Sequence, residues 1–110
     1  MSTRSAPVAA DRLVGRWMAV DVVGDAEATR DLRRGTLEKT LVVNPGGHIL
    51  LRGVDRVRGR GADESFSGRL VGEALRFDGL PGAARLTAEG TRLLLRDPTG
   101  RVTRFVRAAE

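Results

Sequence analysis

The sequence predicts an all-β chain: a single eight-stranded antiparallel up-and-down barrel, with one short helix in its first connection. Three observations predict it. Glycine and proline clusters cut the chain into eight runs of strand length whose apolar residues recur with period two. Long and short connections alternate along much of the chain, as in a meander whose successive turns lie at opposite ends of a sheet. Finally, Gly15-Arg16-Trp17 stands at the head of the first run. There a flat indole can plug one end of a barrel, and the glycine lets the chain bend beneath it.

The elements follow in order. The first strand covers 14–23. Asp25 is placed to cap a helix over 26–34, Arg33 and Arg34 suit the negative end of its dipole, and Gly35 ends it. The second strand covers 36–43 and is closed by Asn44-Pro45-Gly46-Gly47, a tight turn by its residue chemistry. Strands at 48–54 and 64–70 come next, then the turn Val71-Gly72-Glu73 and strands at 74–78, 84–88 and 92–96. Asp97-Pro98-Thr99-Gly100 turns the chain into the last strand, 101–107. The longer connections, 24–35, 55–63 and 79–83, all fall at one end, and that end therefore carries loops while the other is tight. The shape is a cup. Residues 1–11 read as a flexible tail and 12–110 as the barrel domain.

Length and composition bound the function. A chain of 110 residues makes one domain with one core. Hydrophobic residues are 41% of it, as in globular proteins, and no apolar run approaches the ~20 residues of a membrane helix. The absence of cysteine excludes disulfides, thiolate catalysis and zinc-thiolate sites. The first residues have no apolar leader core, and a cytoplasmic location is expected. The net charge of +5 comes from basic residues that are arginine except for Lys39, a skew typical of GC-rich coding. With one tryptophan, three phenylalanines and no tyrosine, little is available to stack on bases, and nucleic acid is not an expected partner.

Strand phase assigns an inner wall of Trp17, Leu41, Val43, Ile49, Leu51, Phe66, Leu70, Leu75, Phe77, Leu86, Leu93, Leu95 and Phe105, with Ala19 and Gly68 leaving room. A bend after Gly15 leaves the phase of the first strand open between Trp17 and Met18. An interior of eight strands is either filled by side chains or shared with one small ligand, and both readings stand. Lys39 and Thr103 share the inner phase near the loop end. An ammonium there needs an anion, which a ligand carboxylate or phosphate could supply with Arg101 as a second donor at the rim. Access to water, or pairing with Asp31, Asp55 or Asp63, would satisfy it as well and is the preferred reading, because structural pairs also hold buried charges. His48 falls on the outer face at the plugged end, without a second histidine or a cysteine, and makes a poor metal site. Arg52, Arg69, Arg76, Arg85, Arg92, Arg96 and Arg104 point outward as a solvated face. Val20, Val22, Val42, Leu94, Val102 and Val106 also point outward, and so much apolar surface suggests a homodimer interface on the last two and first two strands.

Three segments carry a resemblance: LVGRW at 13–17, FSGRLVGEALRF at 66–77 and LLLRDPTGRVTRFVR at 93–107. In this order they resemble the small bacterial lipocalin-like domains of the calycin group. The resemblance implies that an arginine of the last strand packs on the tryptophan of the first. Arg107 fits that role, and Arg104 would fit only with the phase reversed; such a stack is worth about 0.5–2 kcal/mol. The chain is shorter than secreted lipocalins, and neither their leader nor their disulfide is expected in it.

Three functions follow as expectations. The first is a binding module holding a small apolar or amphipathic ligand. Its wall would be Lys39, Leu41, Leu51, Phe66, Leu75, Phe77, Leu95, Arg101, Thr103 and Phe105. The second is a cyclase or isomerase of natural-product biosynthesis that works by positioning its substrate, as do some calycin-like barrels. The third is a filled barrel that mediates protein contacts. No catalytic motif, metal site or cofactor-binding motif is expected.

Overall fold

The computed structural model describes residues 12–56 and 62–108. They form eight antiparallel strands closed into a barrel in sequential order. The strands are β1 (Gly15–Val22), β2 (Leu37–Val43), β3 (His48–Asp55), β4 (Ala62–Val71), β5 (Ala74–Phe77), β6 (Ala84–Glu89), β7 (Arg92–Arg96) and β8 (Val102–Arg107), with helix α1 (Ala26–Arg34) between β1 and β2. The β3–β4 connection is shorter than the spacing suggests, because both strands run on and pair as far as Asp55 with Ala62. The tail at 1–11 lies outside the described residues. None of the described helices is long and apolar enough to cross a membrane.

The closed end is built around Trp17. Its neighbours across the sheet are Leu41 on β2 and Arg107 on β8, and the indole is 4% exposed. This resolves the open phase of the first strand: Trp17 faces inward. The Arg107 guanidinium lies 4.4 Å from the centre of the indole. It also donates to the carbonyls of Val14 at 3.0 Å and Arg12 at 2.6 Å, while the indole N–H donates to the Leu13 carbonyl at 2.8 Å. The turn of chain before β1 is thereby tied beneath the barrel, and Leu13 is buried in the core. Gly15 adopts φ +137°, and a Cβ there would stand 2.7 Å from the Arg107 guanidinium, so the plug needs glycine on two counts. Arg107→Lys is expected to lose most of what this residue contributes, about 1–2 kcal/mol, because an ammonium cannot both stack on the indole and reach two carbonyls. Urea unfolding of the variant measures it.

The inner wall follows the expected phase. Leu41, Val43, Ile49, Leu70, Leu75, Leu86, Leu93 and Phe105 are buried with Trp17 in one core, and Leu51, Phe77 and Ala19 pack against it. One part of the wall departs from expectation. The β1–β8 register shifts between Ala19 and Asp21, so that Asp21 faces Arg104 and Val22 faces Thr103. Val22 is therefore 2% exposed rather than an outward residue. The physical reason lies in Asp21. Strict alternation from Trp17 would drive its carboxylate into the barrel, at the cost of burying a charge. The bulge turns it outward instead, to an ion pair with Arg104 at 2.7 Å. Val20, Val42, Leu94, Val102 and Val106 are half-buried.

The bulge also marks where β1 leaves β2, for the two pair only from Gly15–Val43 to Met18–Thr40. Helix α1 packs against both strands beyond that point. Asp25 caps it by accepting from the Ala28 N–H at 2.9 Å. Gly35, in the left-handed region, ends it, with the Gly35 and Thr36 N–H groups returning to Leu32 and Asp31. Thr29 fixes the helix to the strand, its hydroxyl accepting from the Val22 N–H at 3.0 Å and donating to the Val22 carbonyl at 3.1 Å.

Arginines stud the outside. Arg69 stands directly opposite Arg76, and Arg85 opposite Arg96; all four are exposed. Among the described residues, Arg85 is the member of this array with an acidic side chain close by, Glu73 at 3.2 Å. Facing like charges oppose pairing, and salt screens them. The melting temperature is therefore expected to rise between low and moderate ionic strength, and a fall would show that attractive pairs dominate. His48 begins β3 on this same outer face, opposite Arg69.

Candidate binding cavity

Side chains fill the barrel from the Trp17 end up to Leu75 and Phe105, both fully buried. Above them the interior opens into a cavity of about 370 Å³, with Leu75 and Phe105 in its lining. That size lies near the lower end of ligand pockets, roughly 300–1,000 Å³. The walls are Leu51, Phe66, Phe77 and Leu95, and the polar groups from the strands and rim are Lys39, Arg101 and Thr103, joined at the mouth by Asp97 and Thr99. All the residues expected to line a cup are thus brought together except Leu41, which is fully buried in the core below.

The two phenylalanines shape one side. Their rings meet edge to face with centroids 6.3 Å apart. Gly68 pairs with Phe77 across β4–β5, and a Cβ there would stand 2.4 Å from the Arg76 carbonyl and 2.9 Å from the Phe77 ring. Gly68 therefore lets the aromatic side chain lie flat over β4, and the room it leaves is taken by that ring.

The mouth contains residues that strand phase does not reach. Leu80, Pro81 and Gly82 from the β5–β6 connection line it, with Asp97, Pro98 and Thr99 from the β7–β8 turn. The two loops touch, since a Cβ at Gly82 would lie 3.2 Å from Pro98. Their signal in the sequence is Leu80-Pro81, an apolar pair in a loop that belongs to the open end. Asp97 organises its turn by accepting from the Thr99 N–H at 2.9 Å, the Thr99 hydroxyl at 2.5 Å and the Arg101 N–H at 3.0 Å. Burial pushes its carboxyl upward, but these bonds outweigh that and hold it below the ordinary range. Arg101 in turn reaches across to Asp25 at 2.7 Å, tying the helix cap to the rim.

Two polar groups of the wall are left over. Thr103 is 6% exposed, and among the described residues its hydroxyl makes no side-chain hydrogen bond. Lys39 is half-buried and sits between the cavity and a polar recess that contains Asp25, Asp31, Asp55 and Glu64. Among the described residues no carboxylate lies within ion-pair distance of its ammonium. The expected pairing with Asp31 or Asp55 is therefore not made, and the side chain of Asp63 lies outside the described residues. Burial above all, and then the nearby Arg101 guanidinium, hold the Lys39 ammonium below its ordinary value, against the opposing fields of Asp97, Asp25 and Glu64. No group of histidine and acidic side chains among the described residues could hold a metal ion.

No protein-family model, curated protein or solved structure matches the chain. Geometry alone places it in a class: a closed eight-stranded antiparallel barrel, plugged at one end and hollow at the other.

Proposed function

We propose that this chain is a lipocalin-like binding module that holds a small apolar or amphipathic molecule in the open half of its barrel. The observation that carries the reading is the apolar cavity of about 370 Å³ bounded by Leu51, Phe66, Phe77 and Leu95 and opening among loops. Burying an apolar molecule there gains about 25 cal/mol per Å² of surface removed from water. The wall asks little reorganisation, since its strands are fixed by the closed sheet. The mouth lies where the 78–83 connection meets the β7–β8 turn.

Native mass spectrometry of the purified protein tests the reading. The expected result is a stoichiometric added mass, or uptake of one equivalent of an uncharged fluorophore such as N-phenylnaphthylamine when it is offered. A protein that carries nothing and takes up no apolar probe would count against it.

A further inference from the structure

Resting on that reading, we infer that the cup selects monoanionic amphipathic acids, with a carboxylate held between Lys39 and Thr103 at the mouth and an apolar tail against Phe66, Phe77 and Leu75. Three features converge on this, the third accounting for the first. Lys39 is a cation on the wall of a mainly apolar cavity, and among the described residues no carboxylate comes within ion-pair distance of it. Thr103 presents a buried hydroxyl with no side-chain partner to the same space. A buried donor that lacks an acceptor costs free energy, which a ligand oxygen would recover.

The third feature is how the acids near Lys39 are engaged. Asp25 holds Arg101 and caps α1. Asp97 is occupied by Thr99 and the Arg101 backbone. Glu64 lines the neighbouring recess and not the cavity. One cation is thus uncommitted toward the cavity, with Arg101 adding a second, partly neutralised one at the rim. A single negative charge matches the one ammonium that has no carboxylate within ion-pair distance, whereas the second charge of a dianionic phosphate would face Asp97 at the mouth with no further unpaired cation in the described lining to meet it.

The test is competition between octanoate and octanol, which share a chain and differ in charge, for the cup loaded with N-phenylnaphthylamine. Octanoate is expected to displace the probe at least tenfold more strongly near neutral pH. The preference should weaken as pH rises, before ordinary lysines lose their protons, because burial and Arg101 lower the Lys39 ammonium against the raising fields of Asp97, Asp25 and Glu64. Lys39→Met should bring the ratio of octanoate to octanol displacement to about one, whatever it does to the affinity of the probe itself, and a cooperative thermal transition shows that the variant is folded. Lys39→Arg should keep part of the preference. Equal displacement by the two compounds, or a preference that survives Lys39→Met, would overturn the inference and leave the apolar cup standing. Failure of the probe to bind at all would remove both.

Discussion

Trp17→Ala is expected to cost about 3–5 kcal/mol of unfolding free energy, a large share of the roughly 5–15 kcal/mol that holds a domain of this size together. The indole is almost wholly buried, packs with Leu13 and Leu41 in the core, and carries the Arg107 guanidinium on its face. Truncation leaves a void at the narrow end of the barrel, and the Leu13 carbonyl loses its donor. Arg107 would lose its stacking surface as well. Because the residue ties the ends of the strand order, β1 and β8, into the same plug, the loss should fall on the whole fold. Thermal unfolding should show a drop of roughly 15–25 °C, with a single transition retained. A variant that melts within a few degrees of the native chain would show that the seam closes without the plug.

Ala84→Phe should have the largest effect on binding. Ala84 is buried, pairs with Leu75 across β5–β6 and lines the cavity. A benzyl group grown from this position has only the cavity to enter. Affinity for an uncharged apolar probe should fall more than tenfold, about 1.4 kcal/mol or more. Stability should hold or rise, because the ring fills space instead of displacing packed neighbours. Isothermal titration and thermal melting of one preparation separate the two effects. A variant with unaltered affinity would place the probe elsewhere.

Most of the barrel was legible because period two and turn chemistry are local. Leu93 and Leu95 against Arg92 and Arg96, or Leu75 and Phe77 against Arg76, state their faces without any knowledge of neighbours. The helix was legible for the same reason: Asp25 and Gly35 punctuate it. Val22 departs from its expected outward face because a bulge breaks the period, and its cause, the carboxylate of Asp21, is one residue away in the sequence. A charged residue falling on the inner phase was the available warning. The partner that makes the bulge worthwhile, Arg104, stands at the far end of the chain, and only pairing of β1 with β8 brings the two together.

The candidate site was legible where strands form it and obscure where loops do. Lys39, Phe66, Phe77 and Thr103 follow from alternation. The contact of Gly82 with Pro98, the engagement of Asp97 by its own turn and the bridge from Arg101 to Asp25 depend on how the connections fold over the mouth. Leu41 shows the limit of phase from the other side. It points inward as expected, but its height in the barrel puts it among the packed core residues rather than on the cavity wall. Alternation gives the face of a residue and says nothing of where the filling stops.

The most direct measurement is methyl NMR of the chain titrated with N-phenylnaphthylamine. Binding in the open half predicts shifts for the methyl groups of Leu51, Leu75, Leu80 and Leu95, which line the cavity, with Val43, Ile49 and Leu93 at the packed end left almost unmoved. Shifts confined to exposed residues such as Leu50 and Val71, or no shifts at saturating probe, would contradict a hollow, ligand-binding barrel.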